Sequence, residues 1–198
     1  SGGNTFGHGL DAPDLMIIRA KDTASSWYTT SNDLVNTLDI ASGYYVTLNS
    51  SAARATTGVS SGLFTADSFS ASSSTFKIGT NSLFNSSNPM YFIALKAVPG
   101  VCHIGRITGN GNSNGIWAPF GFRPRWIHIK RITGGSGNWV TIDTARSPYN
   151  DGTVIESYLD LTNAEYGGNG FDFLAEGMKI RTTSSGYNTA GSSYLIIA

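Results

Sequence analysis

The chain has 198 residues, of which 13% are charged against a usual quarter or so, and its 13 basic and 13 acidic side chains give a formal net charge of zero. Without a basic field there is no counterion release to drive nucleic-acid binding, and no polybasic patch for an anionic membrane surface. The single cysteine, Cys102, excludes an intrachain disulfide and a thiolate metal cluster. No apolar run approaches the roughly 20 residues that a membrane-spanning helix needs. A chain of this size can bury about 70% of its unfolded surface, so core volume is not limiting.

In chain order, short apolar runs bounded by Gly, Asn and Ser predict strands at 15–20, 44–48, 76–78, 90–98, 101–108, 126–132, 139–143, 157–161, 178–182 and 194–198. Helical periodicity over ten or more residues is absent. The Ser-rich stretch 58–74 still holds Leu63, Phe64 and Phe69 and is expected to be an ordered loop with a short edge strand. Cys102, next to Val101 and near Ile104, is expected to be a buried strand thiol. In 126–132, alternation sets Ile127 and Ile129 on one face and Trp126, His128 and Lys130 on the other, which predicts a half-buried strand. Gly134-Gly135-Ser136-Gly137-Asn138 and Asn150-Asp151-Gly152 supply turns.

Much of this order occurs twice. Pro13 to Arg19 returns as Pro124 to Lys130, and Ser25-Ser26-Trp27-Tyr28-Thr29 as Gly137-Asn138-Trp139-Val140-Thr141. Tyr45 to Asn49 is matched to Tyr158 to Thr162, Phe76 to Ile78 to Met178 to Ile180, and Tyr91 to Ala94 to Tyr194 to Ile197. The matched positions of Pro13 with Pro124 and Trp27 with Trp139 point to structural roles, with core packing for the two tryptophans. The halves are 1–98 and 99–198. The strand at 101–108 has no partner before Pro13, so the first half is expected to lack its opening strand. Both ends fall inside the repeat, which suggests a longer polypeptide or a neighbouring chain completing a sheet edge.

The candidate chemistry is sparse. The loop 109–115 is glycine-rich, but Ile116-Trp117-Ala118-Pro119-Phe120 follows it and cannot open a helix, so a phosphate cradle is not expected. His8, His103 and His128 lack the spacing for a triad or a zinc site. Asp143, Asp151, Asp160, Asp172 and Glu176 suggest a glycoside hydrolase only if two of them flank a cleft about 5 to 10 Å apart. The cluster 143–150 reads as a corner in which Asp143 pairs with Arg146; a calcium loop using the oxygen ligands of Asp143, Asn150 and Asp151 is the alternative, although the acid spacing matches no EF-hand or similar pattern. Trp117, Tyr149, Tyr166 and Tyr187 lie in Gly-, Asn- or Ser-rich stretches and are candidate platforms for a glycan. No cofactor or metal is expected.

Gly9-Leu10-Asp11-Ala12-Pro13-Asp14, the strand Met16 to Lys21, Gly121 to Pro124, Ile129 to Arg131, the 143–150 cluster and Phe173 to Arg181 span nearly the whole chain. Together they resemble a duplicated β domain found near the C-termini of virion structural and tail-fibre proteins of tailed bacteriophages, often beside lectin-like domains. The resemblance implies a non-enzymatic appendage on the virion surface, such as a tail fibre, head fibre or capsid decoration. It also implies other virion proteins as partners and a homo-oligomer, expected to be a trimer. A host-surface glycan-binding module is the alternative function, and a glycoside hydrolase the second alternative. The expected fold is all-β, with two tandemly duplicated antiparallel β-sandwich-like units packed as one body.

Overall fold

Short alternating runs and frequent turn residues give strands throughout, and the described residues include no helix. The computed structural model describes residues 5–11, 13–31, 44–56, 74–77, 89–168 and 170–198. The chain divides into two units, Ser1–Leu48 with Arg54–Lys96, and Asn49–Ala53 with Ala97–Ala198.

The first unit contains β1 (Thr5–Gly7), β2 (Leu15–Ala20), β3 (Tyr28–Ser31), β4 (Tyr44–Thr47), β5 (Ala55–Thr56), β6 (Thr75–Lys77) and β7 (Met90–Leu95). Five of these form an antiparallel sheet in the order β5-β4-β3-β2-β7, and β1 pairs with β6. The second unit contains β8 (Ile104–Thr108), β9 (Trp117–Pro119), β10 (Trp126–Arg131), β11 (Trp139–Asp143), β12 (Val154–Tyr158), β13 (Tyr166–Gly168), β14 (Phe171–Leu174), β15 (Gly177–Ile180) and β16 (Ser193–Ile197). Its two antiparallel sheets are ordered β13-β12-β11-β10-β16-β8 and β14-β15-β9.

The two units share one strand order. The sequence β5-β4-β3-β2-β7 is matched by β13-β12-β11-β10-β16, and the pair β1-β6 by β9-β15. The register agrees residue by residue: Ile17 opposite Thr29 recurs as His128 opposite Thr141, and Phe6 opposite Phe76 recurs as Ala118 opposite Met178. The Leu48 amide donates to the Trp27 carbonyl and the Leu159 amide to the Trp139 carbonyl, at 2.9 and 3.1 Å. Among the described residues, β8 and β14 have no counterpart in the first unit.

In the second unit the larger and smaller sheets face each other in a sandwich-like arrangement. Alternation turns Ile127, Ile129, Val140, Ile142, Tyr194 and Ile196 inward from one sheet, and Phe171, Phe173, Met178 and Ile180 inward from the other. Full burial of each such side chain contributes about 1.5–3 kcal/mol. At the start of β15 the backbone passes so close to β9 that a Cβ on Gly177 would strike the Ala118 carbonyl oxygen. Only glycine lets these two strands pair there.

Several expectations need correction. The strand placed at 157–161 is Val154–Tyr158. Leu159 and Leu161 imitate strand alternation but are exposed, and the chain turns at Asp160, whose Oδ1 accepts from the Trp139 amide at 3.0 Å. Register also shifts two of the repeat matches. Tyr28 opposite Thr47 corresponds to Val140 opposite Tyr158, so Thr47 rather than Tyr45 matches Tyr158. Ile17 opposite Ile93 corresponds to His128 opposite Ile197, so Ile93 matches Ile197, one residue beyond Ile196. β10 is buried on both faces from Ile127 to Arg131, not half buried, because His128 lies between aromatic rings and Lys130 is enclosed by backbone carbonyls. Cys102 is only half-buried and sits in a single bridge with Val98 ahead of β8. β1, β3, β5, β9, β13 and β14 lie outside the strands expected from the sequence. The edge strand expected within 58–74 falls outside the described residues, apart from Ser74.

Candidate functional site: a tyrosine pocket over a buried glutamate

Along β12, Val154 and Glu156 point to the buried side while Ile155 is only partly covered, so strand alternation itself places a carboxylate in the interior. Glu156 is 0% exposed. Its Oε2 accepts from the Tyr166 hydroxyl at 2.8 Å and from the Tyr187 hydroxyl. The Tyr158 hydroxyl donates its one proton to that of Tyr166 at 2.8 Å, and the two rings stack with centroids 5.9 Å apart. Gly168, on neighbouring β13, leaves room for the carboxylate, since a Cβ there would collide with Glu156 Oε1. A buried carboxyl oxygen is tolerated when hydrogen-bond donors converge on it, and two phenols do so at Oε2, while the buried Oε1 has no hydrogen-bond partner.

Burial raises the Tyr187 hydroxyl well above the ordinary tyrosine range, and its hydrogen bond to Glu156 raises it further. Tyr166 is likewise raised, first by burial and then by its bonds to Tyr158 and Glu156. Both phenols therefore stay protonated donors across the physiological range. Beside them opens a pocket of about 320 Å³ lined by Tyr158, Tyr166 and Tyr187 with Asn138, Ser136 and Ser184. Ring faces combined with amide and hydroxyl groups suit a small polar ligand with an apolar face, such as a sugar.

Of the four proposed glycan platforms, Tyr166 and Tyr187 meet here. Tyr166 lies in strand β13 rather than in a loop, and Tyr187 is buried, so it supports the pocket floor instead of offering a flat face. Trp117 is also a strand residue, in β9, lining a separate groove with His103 and Arg106. Tyr149 sits on an exposed turn. Glu156 and Tyr158 were missed. The signal was the Val154-x-Glu156-x-Tyr158 alternation, which a strand placed three residues too late concealed.

The 143–150 cluster forms a corner. Asp143 Oδ1 accepts from the amides of Ala145 and Arg146 at 3.0 and 2.9 Å, and its Oδ2 pairs with Arg146 Nε at 2.7 Å. Burial pushes the Asp143 carboxyl up, but these hydrogen bonds and the Arg146 charge prevail and hold it below the usual carboxylate range. Arg146 continues to Ser157 Oγ and Glu165 Oε1, and Asn150 exchanges hydrogen bonds with the Phe173 backbone at 2.8 and 3.1 Å. Asp172 pairs with Arg181 at 2.6 Å. None of the five acids considered for hydrolysis lines the tyrosine pocket. The glycine-rich loop 109–115 is held by buried Asn188, whose Nδ2 donates to the carbonyls of Asn112 and Thr182 and whose Oδ1 accepts from the Asn110 amide.

The repeat positions include a cation over a ring in each unit. Arg19 lies 5.1 Å from the Trp27 centroid, and Lys130 lies 5.7 Å from that of Trp139. Trp139 is fully buried and Trp27 partly so; Pro13 and Pro124 are both buried just ahead of β2 and β10.

Among known proteins, a family model described as Domain of unknown function (DUF7483) matches residues 1–198. No curated protein and no solved structure matches the chain.

Proposed function

The chain belongs to the DUF7483 family, and we propose that it is a non-enzymatic structural module of a bacteriophage virion surface, used in a tail fibre, head fibre or capsid decoration. The observation that carries the assembly part of this reading is the exposure of Tyr91, Ile93 and Leu95 along β7. A contiguous apolar patch on a chain with so few charges favours contact with other protein subunits. Placement on a virion rests on the resemblance drawn from the Gly9–Lys21, Gly121–Arg131, 143–150 and 173–181 segments. Virion proteins and further copies of the chain, as a trimer, are the proposed partners. Immunogold labelling of intact particles with antibodies to the purified chain tests the reading. Label on the particle surface supports it, and recovery of the chain only in particle-free fractions rejects it.

A second reading, host-surface glycan binding, is favoured by the tyrosine pocket. It expects saturable binding on a glycan array that is lost in Tyr166→Ala. An array without signal for well-folded protein counts against it. Hydrolysis would require two carboxylates flanking the pocket, and none is among its lining residues, so the glycan reading stops at binding.

A further inference from the structure

The two units differ in how the outer face of the main sheet is covered. In the second unit the segment Asn49–Ala53 lies against that face. The Ser50 carbonyl accepts from Lys130 Nζ at 2.9 Å, and the Ser51 carbonyl accepts from the Gly137 amide at 2.8 Å. Beside Lys130, Leu195 is 0% exposed, and beside His128, Ile197 is 8% exposed, with β8 paired along the other edge of their strand where β7 has no such neighbour among the described residues.

The first unit carries the same receiving groups. Arg19 stands where Lys130 stands, each over its tryptophan, and Ser25 matches Gly137. Yet Arg19 Nε is buried with no hydrogen-bond partner. Its neighbour Tyr91, the counterpart of Leu195, is 55% exposed, and Ile93, the counterpart of Ile197, is 47% exposed.

The donating segment is also duplicated. Leu48 and Leu159 bond alike to the two tryptophan carbonyls, so Ser50 and Ser51 correspond to Leu161 and Thr162. The latter segment projects into solvent with Leu159 and Leu161 exposed. Among the described residues, an exposed receiving face and an exposed copy of the covering segment are thus carried on one chain.

We infer that the segment following β12 of one copy docks on the outer face of the first unit's sheet in a second copy. The Leu161 and Thr162 carbonyls take hydrogen bonds from Arg19 and the Ser25 amide, and the leucine side chains cover Tyr91 and Ile93. The contact joins two different surfaces, so it propagates head to tail and ends only in a ring or a filament. The assembly reading above supplies the biological setting. The contact is tested in vitro and can fail independently of particle labelling.

The test is sedimentation velocity on the full chain over a range of concentrations, with two surface variants. Ile93→Lys blocks the receiving face, and Leu161→Lys sets a like charge against Arg19. Wild-type chain is expected to sediment above its 21.0 kDa monomer mass. Each variant alone is expected to be monomeric, and their equimolar mixture to form a species of two chains and no larger one, because each supplies the surface that the other lacks. Monomeric wild type at every concentration overturns the inference. So does association that survives Leu161→Lys, which would indicate pairing of β7 edges, and so does a mixture that stays monomeric. Circular dichroism verifies that each variant keeps the wild-type spectrum. Should Ile93→Lys lose it, Tyr91→Lys with Leu159→Lys repeats the same test with the same outcomes.

Discussion

Between the rings of Trp126 and Trp139, at centroid distances of 5.4 and 4.7 Å, the His128 imidazole is held neutral with Nδ1 against Thr141 Oγ1 at 2.8 Å. Burial lowers its pKa from 6.5 to about 4, and the Lys130 charge adds to the effect. In the window between those values the unfolded chain binds a proton that the folded chain refuses. Stability is therefore complete above about pH 6.5 and is lost as pH falls toward about 4. At about 1.4 kcal/mol per unit, the loss approaches roughly 3 kcal/mol. Thermal unfolding followed by circular dichroism should show Tm dropping through that window in the native chain and a much flatter profile in His128→Gln. Lys130 makes a separate contribution. Burial lowers it to about 8, with the Asp160 charge opposing the shift, and its Nζ serves the carbonyls of Ser50 and Gly137. Lys130→Met removes both hydrogen bonds of this one donor group and is expected to cost about 2–4 kcal/mol in urea denaturation, because two enclosed acceptors lose their partner. Tyr187→Phe takes one phenol from Glu156 and should cost about 1–3 kcal/mol by the same measurement.

At the level of strands, close approach of β9 and β15 makes Gly177 the described glycine with the tightest surroundings for a side chain. Gly177→Ala drives a methyl group into the Ala118 carbonyl at a φ of +158°, and a loss above about 2 kcal/mol is expected from thermal unfolding. Gly152→Ala has open space around its Cβ and only an unfavourable φ of +89°, so about 1 kcal/mol is expected in the same experiment. A result reversing that order would show that backbone strain outweighs the collision. Sequence patterns disclosed β2, β10 and β11 with true bounds or nearly so, since those strands are rich in β-branched and aromatic side chains between clear turn signals. They disclosed the Asp143–Arg146 corner because both partners are local. β9 and β13 stayed hidden, being three residues long and rich in Pro or Gly. Glu156 stayed hidden for another reason. Its burial depends on Tyr166 and Tyr187, ten and 31 positions away, and no local pattern reveals that a distant phenol will cover a carboxylate.

For the molecule as a whole, a net charge of zero and an isoelectric point near 6.8 leave little mutual repulsion between copies. Solubility measured by polyethylene glycol precipitation should pass through a minimum near pH 6.8 and recover on either side. The head-to-tail contact, made from apolar side chains and backbone carbonyls, should weaken little as salt rises, whereas an association driven by surface charge would dissolve. Shared strand order could be anticipated from the duplicated segments, but sheet neighbours could not. β16 comes last in the second unit yet lies between β10 and β8 in its sheet. That order constrains biosynthesis. While a ribosome is still adding residues 193–197, both flanking strands wait with open hydrogen-bonding edges, and pairings spanning more than sixty residues close only once Ile197 has left the exit tunnel. During translation the second unit therefore cannot close its larger sheet before β16 has emerged.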